Sequence, residues 1–170
     1  MTDKYYITTP IYYVNDKPHI GHAYTSVATD FIARFMRLND YDVRFQTGTD
    51  EHGLKIQKAA ESKGKEPLEL CDENSRIFRD LTTTLDLSND DFIRTTEQRH
   101  IDGASFLWNR LHERNQIYLG EYTGWYSIND ETFYNEKDLV KQSDGSFKTV
   151  TGGPVEWITE KSYFFKVSKL

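Results

Sequence analysis

Two histidines three residues apart, in the run His19-Ile20-Gly21-His22, are the first side chains whose types and spacing can do chemistry. The run follows a strand-like segment and a loop, where a helix begins. A helix N-terminus carries unpaired backbone N–H groups and a partial positive charge, so it attracts phosphate. Residues three apart lie on neighbouring parts of one helical face, and both imidazoles can donate hydrogen bonds to phosphate oxygens. Gly21 removes a side chain where a nucleotide can approach closely. The same His-x-x-His pair also fits a metal site or a chance surface pair. A second group, Thr47-Gly48-Thr49-Asp50-Glu51-His52-Gly53, follows a second strand-like run. Asp50 there can pair with the ammonium of a substrate, or it can cap the helix that follows. His52 equally fits a structural histidine. Taken together, His19, His22, Asp50 and His52 are a ligand set that a metal-dependent hydrolase could use. A third block, Phe92-Ile93-Arg94-Thr95-Thr96-Glu97-Gln98-Arg99-His100, carries no chemistry that its residue types define. A strand end and a helix cap account for most of it, with Thr95 and Gln98 spaced as a capping box. His100 and His112 read as structural.

The elements that must position these groups follow from pattern. Lys4 to Thr9 is rich in Tyr, Ile and Thr and stops at Pro10, which reads as a strand. Ile11 to Pro18 reads as a loop with turn chemistry in Asn15-Asp16-Lys17-Pro18. Ile20, Tyr24, Val27, Phe31, Phe35 and Leu38 then recur at helical spacing, which predicts one buried stripe with His19 and His22 off it. Asn39-Asp40 ends that helix. Asp42 to Thr47 is a second strand, Gly48 to Gly53 a loop, and Leu54 to Lys63 a second helix stopped by Gly64. Pro67 suits the first turn of a third helix, with Leu68, Cys71, Phe78, Leu81 and Leu85 inward. Phe92 to Thr95 is a short strand, and a fourth helix runs to about Asn115 with Ile101, Ala104, Trp108 and Leu111 inward. Strands alternating with helices predict an α/β unit with a parallel sheet. From Ile117 onward, aromatic residues stand among turn residues, and Ser143-Asp144-Gly145 suits a hairpin. This stretch predicts a small β-rich insert or second domain.

Bulk properties narrow the function classes. Hydrophobic residues make up 37% and charged residues 28% of the 170, enough for a packed core. A net charge of −6 argues against gripping nucleic acid through phosphate contacts alone. The single cysteine, Cys71, excludes a disulfide framework and a Cys-rich zinc site. No apolar run approaches the ~20 residues that span a bilayer. The N-terminus lacks a signal-peptide core. The expectation is a soluble cytoplasmic protein with no membrane partner.

The blocks also resemble a known family. Thr8-Thr9-Pro10-Ile11-Tyr12-Tyr13-Val14-Asn15 followed by Pro18-His19-Ile20-Gly21-His22-Ala23-Tyr24 resembles the first signature of class I aminoacyl-tRNA synthetases in its methionyl form. The second and third blocks agree with that form. Other class I synthetases share the His-x-Gly-His element but differ before it. The resemblance implies a Rossmann-like nucleotide-binding domain, of which residues 1–116 match the first half, and a connective insert over 117–170. It implies ATP-dependent activation of methionine and transfer to tRNA(Met). His19, Gly21 and His22 would bind ATP, His19 and His22 being the catalytic pair. Ile11, Tyr13 and Asp50 would bind methionine, Asp50 through its ammonium. Magnesium would arrive with ATP, held through substrate phosphates. The family's chains are considerably longer and carry a Lys-Met-Ser-Lys-Ser loop and an anticodon-binding domain. The expectation is therefore a piece of a longer chain, inactive alone, or a non-catalytic tRNA-associated module. Lys166-Val167-Ser168-Lys169-Leu170 imitates that loop, but it continues an apolar run with no Gly or Pro and reads as structural. Many members build zinc knuckles from Cys-x-x-Cys pairs in the insert. Here Ser127 and Asp130 stand at the expected first pair, so no structural zinc is expected, and aromatic residues must hold the insert instead.

Overall fold

A computed structural model describes residues 2–127, 129–130 and 132–169. The chain divides into two compact units, Met1–Ser105 and Phe106–Leu170. The first is α/β with a parallel sheet. Its strands are β1 (Lys4–Thr8), β2 (Tyr12–Tyr13), β3 (Asp42–Asp50) and β4 (Asp91–Arg94). Its helices are α1 (Ile20–Leu38), α2 (Leu54–Ser62) and α3 (Pro67–Thr84), and a fourth, α4 (Gln98–Glu113), runs across the division. Strand β3 pairs in parallel with all three others.

The expected loop after Pro10 contains a strand. Proline cannot donate to a ladder, so β1 ends, yet the chain rejoins β3 as β2 two residues later. The register runs from Thr8 opposite Gln46 to Tyr12 opposite Thr49. The first strand spends one residue more than its partner over this stretch, which makes a bulge at 9–11. Bulges re-aim side chains beside sites. Extended backbone alternates its side chains, so Tyr12 and Val14 are buried while Ile11 and Tyr13 are exposed. Tyr12 and Val14 join Ile56, Cys71, Phe78 and Phe92 in one core cluster. Strand β3 also runs further than expected, through Gly48 and Thr49 to Asp50, because β2 and β4 continue to pair with it there. Gly48 permits this: a Cβ would meet Ile93 Cγ2 at 2.6 Å and the Ile93 backbone.

The helices form where predicted, but their expected inner faces need correction. The α1 stripe is open: Ile20 is 85%, Phe31 71% and Leu38 84% exposed, with Tyr24, Val27 and Phe35 also exposed. The face that α1 buries holds Ser26, Thr29, Asp30 and Ala33. Asp30 explains part of this reversal. It accepts the Ser88 N–H and hydroxyl, each at 2.6 Å, and pairs with Arg34 at 2.7 Å, which ties α1 to the loop before β4. In α3, Cys71 and Phe78 are buried as expected, Leu68 is exposed, and Leu70, Asn74 and Ser75 are buried instead. Helix α4 buries no residue, with Ile101 and Trp108 exposed. The Thr95–Gln98 capping box does not form. The Thr95 hydroxyl accepts the Glu51 N–H at 2.8 Å, and the Gln98 amide donates to Asp102 at 2.7 Å.

The second unit is built on a long antiparallel pair, β5 (Ile117–Ser127) with β9 (Glu156–Phe165), and β6 (Thr132–Tyr134) adds to β5. Between them, β7 (Val140–Lys141) and β8 (Phe147–Lys148) form the expected hairpin, with Gly145 at φ 85°. Aromatic rings do meet, as in Tyr122 with Phe133 at 4.6 Å and Trp125 with Trp157 at 5.3 Å. They lie mostly on open sheet faces, since Tyr118, Tyr122, Trp157 and Tyr163 are exposed. The fully buried Ser127 hydroxyl donates to Asp130 at 2.8 Å and accepts the Asp130 N–H at 3.3 Å. Lys166 closes the unit: its N–H donates to the Gln116 carbonyl and its Nζ to the Asn115 carbonyl. The sequence reads the run from Lys166 as structural; Leu170, its last residue, lies outside the described residues.

Candidate active site

The start of α1 is capped by the two histidines themselves. His19 is the N-cap, in extended backbone, and its Nδ1 accepts the Gly21 N–H at 3.1 Å. His22 reaches back, and its Nδ1 accepts the His19 N–H at 3.0 Å. This is the reciprocal logic of a capping box, with imidazoles doing both tasks. The rings lie 3.9 Å apart. A neutral imidazole that accepts at Nδ1 carries its proton on Nε2, so each ring keeps one N–H donor turned away from the cap. The Gly21 amide is used by His19 within the cap. Gly21 has a further reason to be glycine, because a Cβ would meet His19 Cε1 at 2.9 Å.

His22 is held from two more sides. Its ring meets Tyr12 edge-on at 4.9 Å and Phe78 edge-on at 5.0 Å. The Tyr12 hydroxyl is hydrogen-bonded to Ser26 at 3.0 Å. Burial pushes the imidazole pKa below its ordinary 6.5, and the neighbouring His19 adds to the effect. The ring therefore favours the neutral form that the cap requires.

A cleft of about 490 Å³ opens beside this cap. Its lining brings together four sequence candidates, Ile11, Tyr13, His19 and His22, and adds Tyr12, Asn15, Asp16, Lys17 and Lys55. Lys55 Nζ lies 5.6 Å from the centre of the Tyr13 ring. Lys17 and Asn15 were legible only as turn residues, and Lys55 only as part of a helix. Asn74 was missed for another reason. Its side chain donates to the Val14 carbonyl at 2.6 Å and pins the loop from α3, a contact across the fold that no local pattern shows.

Asp50 and Gly21 are not among the cleft-lining residues. Asp50 is the last residue of β3, in register with Tyr13 of β2. It does not cap α2, whose N-cap is Gly53 with no side-chain bond; its Oδ1 accepts the His52 N–H at 3.3 Å. The His52 Nε2 lies 3.4 Å from the Thr95 carbonyl. The hydrolase set is not assembled: among the described residues, no three His, Cys, Asp or Glu side chains are placed to hold a metal ion. Among the same residues, no helix is long and apolar enough to cross a membrane.

A family model described as tRNA synthetases class I (M) matches residues 5–145. The chain belongs to this family. The methionine–tRNA ligase of Rickettsia conorii is 56% identical over 169 residues, which take in 99% of this chain and 32% of that protein. The methionine–tRNA ligase of Mesorhizobium japonicum is 51% identical over 166 residues, 98% of this chain and 32% of its own length. Among solved structures, Mycobacterium tuberculosis methionyl-tRNA synthetase in complex with methionyl-adenylate superposes with a TM-score of 0.84 at 48% identity, covering 99% of this chain and 33% of that one. The LeuRS of Agrobacterium radiobacter, at 19% identity and a TM-score of 0.72, shares the fold. The chain thus spans about a third of the length of the relatives it matches. Its first unit carries the Rossmann-like parallel sheet of the family, as the alternating strands and helices imply.

Proposed function

We propose that this chain supplies part of the activation site of a methionine–tRNA ligase acting in cytoplasmic protein synthesis. The observation that carries the reading is the histidine cap on the cleft wall, where two imidazole donors meet Ile11 and Tyr13. The methionine carboxylate attacks the α-phosphate of ATP and pyrophosphate leaves, giving methionyl-adenylate. The methionyl group then passes to the terminal adenosine of tRNA(Met), releasing AMP. Neither step needs a covalent bond to the enzyme, so the residues act by positioning and by meeting charge as it develops. His19 and His22 would donate to the phosphates. Ile11 and Tyr13 offer an apolar wall suited to a thioether side chain, and Asp50 would take the ammonium. Magnesium would come with ATP through its phosphates. The relative solved with methionyl-adenylate supports this choice of ligand. The residues 1–116 and 117–170 would be the first half of the catalytic domain and its connective insert. ATP–pyrophosphate exchange by the full-length protein tests the reading. Exchange that depends on methionine and on no other amino acid is expected; exchange that is absent, or driven better by leucine, overturns it.

A further inference from the structure

The block at the end of β4 binds a carboxylate from the end of β3, the most heavily hydrogen-bonded one among the described residues of the first unit. Glu51 follows Asp50 and its side chain is fully buried. Its carboxylate accepts from Arg94 Nε at 2.7 Å and Arg94 Nη2 at 2.9 Å, a two-pronged clasp. It also accepts from the Thr49 hydroxyl at 2.8 Å and the Thr96 hydroxyl at 2.5 Å. The backbone is zipped alongside. The Thr95 N–H donates to the Thr49 carbonyl at 3.2 Å, and the Glu51 N–H donates to the Thr95 hydroxyl. Arg94 reaches on to Asp72 of α3 at 2.5 Å. Three elements therefore meet at one residue beside Asp50.

A buried ion pair is weak evidence for stability, since apolar residues of similar volume often serve as well. What such a pair does supply is direction. A planar guanidinium accepts only a narrow range of carboxylate positions. With two hydroxyls on the same carboxylate, the backbone at Glu51 has little freedom to slide or roll. Neighbouring residues of an extended chain point to opposite faces, so clasping Glu51 on one side fixes Asp50 on the other. We propose that the Glu51–Arg94 clasp is a positioning device that aims the Asp50 carboxylate at the ammonium of the amino-acid substrate. This rests on the reading of Asp50 given above. Glu51 and Arg94 are hydrogen-bonded to each other and are not among the residues that line the cleft beside the histidine cap. Burial alone would push the Glu51 carboxyl up, but hydrogen bonds from Arg94, Thr96 and Thr49 and the guanidinium charge hold it below its ordinary value, so it stays ionised.

The test is steady-state pyrophosphate exchange by the full-length protein, with KM for methionine and for ATP measured separately and melting followed in parallel. Arg94→Met should raise KM for methionine by at least ~10-fold, since small misplacements of a binding group cost one to two decades, and leave KM for ATP unchanged. Arg94→Lys, a point charge without the fork, should fall between wild type and Arg94→Met. Glu51→Gln, which keeps the shape and the hydroxyl contacts, gives the same split if Arg94→Met does not fold. The cycle with Asp50→Asn decides the route. Groups that act as a unit are not additive, so adding Arg94→Met to Asp50→Asn should raise KM for methionine no further. A lower melting temperature with both KM values unchanged, or an equal loss on both substrates, overturns the proposal. An undiminished Arg94→Met effect in the Asp50→Asn background overturns it as well. If Asp50→Asn alone leaves methionine use intact, the reading of Asp50 fails and the clasp has nothing to aim.

Discussion

At His22, Nδ1 caps the helix while the ring lines the cleft, which leaves Nε2 as its remaining hydrogen-bonding atom. Two predictions follow at this scale. Replacing His19 or His22 with Ala in the full-length protein should slow adenylate formation by ~10- to 100-fold, because a hydrogen bond to a charged group is worth roughly 1.5–3 kcal/mol. Wild-type activation by both variants would sink the assignment. The second concerns pH. The folded imidazole of His22 sits below its ordinary 6.5 because burial, then His19, disfavours the cation. Its contribution to stability is thus present above pH 6.5 and lost as the pH falls through the lowered pKa. An NMR titration of the His22 ring should give a midpoint below 6.5, and Phe78→Leu, which opens one wall, should move it back up. A midpoint that ignores the substitution would mean that Phe78 does not shield the ring. The histidines were legible because a spacing of three at a helix start is a local signal. The Phe78 wall was not, since it comes from a helix far along the chain.

At the scale of elements, sequence pattern located helices and strands well and their environments less well. The α1 period places Ile20, Tyr24, Val27, Phe31, Phe35 and Leu38 on one face, but period says which residues share a face and nothing of what covers it. The loop that proved to contain β2 is too short for an alternating pattern to stand out, and its pairing with β3 is a long-range event. Thr95 shows the same limit. A hydroxyl at an N-cap spacing can be claimed by another strand, here through Glu51. In the insert, hydroxyls also take over a turn. Ser127 and Asp130 satisfy each other there. Ser127→Ala should therefore cost about 1 kcal/mol, a drop of ~2–4 °C in melting temperature for a chain of this size. Elemental analysis of the purified chain should show no stoichiometric zinc. A stoichiometric signal, or a melt that responds to a chelator, would contradict the hydrogen-bonded turn.

For the molecule as a whole, the open face of α1 is the largest departure from a self-contained domain. Six large apolar side chains along one helix exceed the scattered exposure that ordinary surfaces show. The 170-residue chain should therefore bind the dye ANS in its folded state. Phe31→Glu with Phe35→Lys should reduce that binding without lowering the melting temperature, because exposed substitutions cost little. Undiminished dye binding would place the sticky surface elsewhere. The sheet beneath that helix has a consequence in time. Every partner of β3 is parallel to it, and parallel strands cannot be joined by a tight hairpin. As the chain leaves the ribosome, β1 and β2 must wait for β3, and β3 must wait again for β4 before its other edge is paired. Pairings so distant in sequence form slowly. A nascent chain arrested short of Arg94 already holds both histidines, Tyr13 and Asp50. It still lacks Arg94, so the clasp proposed to aim Asp50 can close only once β4 has been made.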